Sequence, residues 1–104
     1  MIDFEPIDRH FAALMQRRGA DADVALAALL VSRAARQGDI CLDLAAWAGT
    51  SLPEQNCATP ALEAWSKAVQ SSPVVGSDND YTPMVLDAKS RLYLRRYYAY
   101  EQRL

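Results

Sequence analysis

The side chains able to do chemistry are few and scattered. Histidine occurs once, as His10, and cysteine twice, as Cys41 and Cys57. A cysteine nucleophile needs a base within hydrogen-bond reach, and nothing in the spacing brings His10 to either thiol. One histidine and two distant cysteines also make no metal-ligating cluster. With no C-x-x-C pair in the chain, free thiols in a reducing compartment are the expectation. Asp78, Asn79 and Asp80 resemble the opening of a calcium loop, but the glycine and terminal glutamate of that loop are missing, which leaves a solvated loop. No glycine-rich phosphate cradle is present either.

One stretch has a composition suited to binding. In KSRLYLRRYYAYEQRL, Lys89, Arg91, Arg95, Arg96 and Arg103 interleave with Tyr93, Tyr97, Tyr98 and Tyr100. Basic charge with stacking rings is how single-stranded nucleic acid is held without sequence preference. Tyrosine and arginine are equally the residues enriched at protein interfaces. The candidate interface is therefore Arg91, Tyr93, Arg95, Arg96, Tyr97, Tyr98 and Tyr100, with no catalytic, cofactor or metal-ligating residue beside it.

The elements that must position this surface follow from periodicity. Ile7, Phe11, Leu14 and Met15 predict an amphipathic helix over Pro6–Arg18, with Gly19 stopping it in a left-handed conformation. Asp21 or Asp23 then caps a far more apolar helix beginning at Val24, which must be central and buried. Gly38 ends it. Ile40, Leu42 and Leu44 alternate with Asp39, Cys41 and Asp43 as a short strand does. Asp43 caps a brief helix through Leu44–Ala48, and Thr50–Ala58 reads as a polar loop. Thr59 and Pro60 start a further helix, with Leu62, Trp65, Ala68 and Val69 inward. Ser71-Ser72-Pro73 ends it.

Val74–Val75 predicts a strand stub and Gly76–Thr82 a loop. Met84–Leu86 and Arg91–Arg95 form a hairpin with Leu92 and Leu94 inward and Arg91, Tyr93 and Arg95 outward. Tyr97–Leu104 begins another helix. The fold class is α+β, mainly α, with a short strand and a C-terminal hairpin. From the long helix onward the element order is that of a winged helix. A helix that reads DNA should be basic, yet the one over Thr59–Ser72 sets Lys67 against Glu63. That charge balance favours a protein interface or ordinary packing over nucleic acid.

Size and composition agree with one domain over 1–104. The chain has 104 residues, 51% of them hydrophobic, and a net charge of −2. No apolar run approaches the roughly 20 residues that span a bilayer. An N-terminus opening on acids lacks the basic region of a signal peptide, so a cytoplasmic protein is expected.

IDRHFAAL, LAALLVSRAARQGDICLDL and PMVLDAKSRLYLRRYYAYEQRL together resemble the N-terminal domain of the RecD subunit of exodeoxyribonuclease V. The likeness extends over almost the whole chain. Its most specific parts are GDICLDL and RLYLRRYYAYEQRL, whereas Thr50–Ala58 carries no signature. The resemblance implies a part of the RecBCD complex, which unwinds and degrades DNA ends in recombinational repair. It implies an assembly module docking the helicase subunit onto RecC and RecB, with DNA met only through the complex. ATP and magnesium belong to helicase motifs further along such proteins, so this segment needs no cofactor. The helix from about Tyr97 would lead into those domains, and self-association of the isolated fragment stays open. A nucleic-acid-binding winged helix is the alternative.

Overall fold

The computed structural model describes residues 4–52, 57–76 and 82–95. Helix α1 (Pro6–Arg17) and helix α2 (Ala22–Arg36) are followed by strand β1 (Cys41–Asp43) and a single turn, α3 (Leu44–Trp47). Strands β2 (Ser51–Leu52) and β3 (Cys57–Ala58) pair with each other. Helix α4 (Leu62–Gln70), strand β4 (Val75–Gly76) and the hairpin β5 (Met84–Leu86) and β6 (Arg91–Leu94) complete the order. It is an α+β domain in which helix predominates.

Helix α2 is the axis of packing, because it touches α1, α4, β1 and β6. Asp21, rather than Asp23, is its cap, accepting from the Val24 N–H at 2.9 Å. Val24, Ala27, Ala28, Leu30 and Val31 are all at most 1% exposed, so little of this helix meets water. An all-round apolar helix is stable only when enclosed, and the other elements enclose it. Trp65 of α4 is fully buried and donates its indole N–H to the Asp23 carbonyl at 3.0 Å. The tryptophan thereby ties α4 to the first turn of α2.

The main sheet has the order β1-β6-β5-β4. β1 pairs antiparallel with β6, β6 antiparallel with β5, and β4 lies parallel to β5 at the edge. Leu42 stands opposite Leu92, and Leu92 opposite Leu86, which sets one face of the sheet against the core. With α3 and α4 between β1 and the hairpin, element order and strand order are both those of a winged helix. β4 is an addition at the edge.

Four expectations change. In α1 the buried positions are Asp8, Ala12 and Met15, while Ile7 is 63% exposed. The predicted stripe is thus rotated outward, because the buried Asp8 carboxylate takes part of the inner face. Thr59 does not cap α4, whose cap position is Ala61. Its hydroxyl accepts from the Thr50 N–H and donates to the Trp47 carbonyl, joining the two sides of the β2–β3 ribbon. That ribbon replaces part of the loop predicted over Thr50–Ala58. Finally, Ile40 is exposed and β1 begins only at Cys41.

Candidate interface at the hairpin and the first helix

The hairpin turn is built on Asp87. Its Oδ1 accepts from the Lys89 and Arg91 backbone N–H groups, each at 2.9 Å. Its Oδ2 accepts from Arg91 Nε at 2.7 Å and from the Tyr93 hydroxyl at 3.2 Å. Burial works against the Asp87 charge, but the hydrogen bonds from Arg91 and Lys89 outweigh it and hold the carboxyl below its ordinary range. Ser90 closes the turn in the left-handed region at φ 60°, as the last residue of such a loop often does.

Three of the seven candidate interface residues fall in the described part of the chain. Arg91 is partly exposed, but its guanidinium is committed to Asp87. Tyr93 was expected to face outward and is instead 3% exposed, opposite the buried Val85. Burial, and after it the neighbouring Asp87 charge, pushes its phenol up to about 12. Arg95 donates from Nε to the Thr82 carbonyl at 2.9 Å and from Nη2 to the Thr82 hydroxyl at 3.0 Å. Arg96, Tyr97, Tyr98 and Tyr100 lie outside the described residues, as do the helix expected from Tyr97 and the acids Asp78 and Asp80.

The thiols are both free. Burial raises Cys41, and the nearby Arg91 charge and a hydrogen bond with Tyr93 only partly offset it, so the thiol is not activated as a nucleophile. Cys57 is exposed. His10 sits on the exposed side of α1. Among the described residues no cluster of histidine, cysteine and acidic side chains could hold a metal ion. No described helix is long and apolar enough to cross a membrane.

Two clefts flank the hairpin. One, of about 480 Å³, lies between α4 and the turn and is lined by Ser66, Gln70, Gly76, Asp87 and Ser90. Ser66 and Ser90 meet there at 3.2 Å. The other, of about 470 Å³, is mainly apolar and is lined by Ile7, Phe11, Ser32, Pro83, Leu94 and Arg95.

Sequence reasoning missed Asp8. Its carboxylate is fully buried, accepts from Arg36 Nη2 at 2.8 Å and from the Ser32 hydroxyl at 2.7 Å, and takes the Glu5 N–H at 2.9 Å. Burial alone would raise it; Arg36 and these hydrogen bonds prevail and lower it. A faint signal existed, since an acid in the first turn after proline suits a helix start. Asp87 carried a clearer one, as the opening residue of a turn.

The fold defines a small α+β domain, in which helices pack on a four-stranded sheet and Asp87 and Asp8 hold the hairpin turn and the α1–α2 junction. Residues 3–93 match the family model described as the RecBCD enzyme subunit RecD, N-terminal domain, and the chain belongs to that family. A curated relative, the RecBCD enzyme subunit RecD of Mycolicibacterium smegmatis, is 36% identical over 103 residues. The match covers 96% of this chain and 18% of that relative, so the chain spans less than a fifth of its length.

Proposed function

We propose that this domain is a non-catalytic assembly module, which docks a RecD-like helicase subunit onto RecC and RecB. In that setting the complex unwinds and degrades DNA ends, using ATP and magnesium held by other domains, for repair by homologous recombination in the cytoplasm. The observation that carries the reading is the family match, which spans the domain from its first helix through the hairpin. The surface supports it, because apolar side chains are exposed on α1 while the described arginines of the hairpin are tied internally. Co-purification of this chain with RecC and RecB is the test. Recovery of a complex supports the reading; failure to bind either partner, where the full subunit binds, overturns it.

The winged-helix topology favours a second reading, a module that binds nucleic acid directly. Helix α4 argues against it, since it carries Glu63 in its first turn and Lys67 in its last and has no net charge to set against phosphate. A single-strand titration decides between them. Binding at low salt that weakens steeply as salt rises would establish the second reading.

A further inference from the structure

Arg36, Arg91 and Arg95 commit their guanidinium groups to partners inside the domain. Arg33, near the end of α2, does not. It is half-buried, and its guanidinium carbon lies over the Trp47 ring, 5.9 Å from the centroid. Among the described residues it takes part in no hydrogen bond or ion pair, and its Nε is enclosed without an acceptor. Its Nη groups are equally unpartnered but are not enclosed, so their N–H donors meet solvent. The arginines Arg9, Arg17 and Arg18 are simply exposed, with no ring beneath them among the described residues.

Enclosing an N–H without an acceptor is costly and rare, so the fold gains nothing at Nε that an apolar side chain would not supply. What it gains is a guanidinium held in place. Trp47 packs against the core, and its carbonyl accepts from the Thr59 hydroxyl, so the ring is a fixed platform. A planar fork already held in place loses little freedom when it is engaged. Arginine and tryptophan are also the residue types that carry most binding energy at protein interfaces.

We propose, building on the assembly role above, that Arg33 on its Trp47 platform receives a carboxylate side chain of the partner subunit through its outward Nη groups. Two exposed acids flank the site. Asp39 donates its N–H to the carbonyl of Ala34, next to Arg33, and Asp43 caps α3, which ends in Trp47. They repel a run of phosphates, whereas one carboxylate seated on the fork gains a bidentate, charge-assisted contact.

The test titrates this chain, Arg33→Met and Arg33→Lys onto immobilised RecC and RecB, with melting followed in parallel. Arg33→Met is expected to weaken binding by roughly tenfold or more, while its melting temperature stays within about 3 °C. Arg33→Lys keeps the charge, loses the planar fork, and should regain at most part of the affinity. Unchanged affinity in Arg33→Met overturns the inference and leaves the assembly reading intact; no binding by the unsubstituted chain overturns both. If Arg33→Met melts far lower, Arg33→Lys decides. Native melting with weakened binding sustains the inference, whereas native binding, or a matching loss of melting temperature, makes Arg33 structural and overturns it. Arg33-dependent binding of single-stranded DNA, weakening steeply with salt, assigns the site to phosphate and also overturns it.

Discussion

At the scale of single residues, this domain places its charges where they hold structure. Asp8 and Asp87 are both lowered below the ordinary carboxylate range by donors that outweigh the effect of burial. The unfolded chain therefore takes up protons at a higher pH than the folded one does. Their contribution to stability is complete above the unfolded value of about 4, and is lost as pH falls through the lower folded values. Asp8→Asn leaves Arg36 facing a neutral amide, and should cost about 2–3 kcal/mol in urea unfolding at pH 7. That is less than for a fully buried pair, because the Arg36 side chain is 29% exposed. The variant should also show a shallower decline in acid; an unchanged acid profile would mean that Asp8 is not the group responsible.

Tyr93 works in the opposite sense. A phenol held at about 12 keeps its proton when the unfolded chain, near 10, has lost it. Its stabilising effect is present below pH 10 and disappears as pH rises toward 12. Alkaline absorbance titration should resolve one of the five tyrosines ionising near 12. Tyr93→Phe should remove that late step and leave the others; its persistence in the variant would contradict the assignment.

At the scale of elements, the burial of Trp65 joins α4 to α2. Trp65→Ala removes a fully buried ring and its bond to Asp23, and should cost about 3–5 kcal/mol by chemical denaturation. A loss below about 1 kcal/mol would mean that α4 packs elsewhere. Gly19 is a second junction. It has φ +110°, and a Cβ there would stand 2.8 Å from Pro73 Cγ, in the segment after α4. Gly19→Ala should therefore destabilise by more than about 1 kcal/mol, measured in the same way.

These elements were largely legible in the sequence because their signals are local. Glycines 19 and 38 stop helices, Asp43 caps one, and Leu42 and Leu92 alternate with polar neighbours as buried strands do. What sequence could not carry was tertiary partnership. The outward turn of Ile7 depends on Asp8 finding Arg36, far along the chain. Thr59 has the chemistry of a cap but is drawn to Trp47 and Thr50 instead. Tyr93 alternates outward by pattern, yet Val85 and Asp87 stand beside it in the folded sheet. The candidate interface was read from composition, and composition does not say which arginines already have internal partners.

At the scale of the whole molecule, the domain is a winged-helix frame whose helix α4 lacks the charge to read DNA. The isolated chain should accordingly show no binding to single-stranded DNA even at low salt; binding with a steep salt dependence would contradict this. As a part spanning less than a fifth of its curated relative, its role is proposed to be contact with other subunits. The most direct measurement is an equilibrium titration of this chain onto immobilised RecC and RecB. Saturable binding that the full-length helicase subunit competes away is the expected result. Absence of saturable binding, on a surface that still captures the full-length subunit, would contradict it.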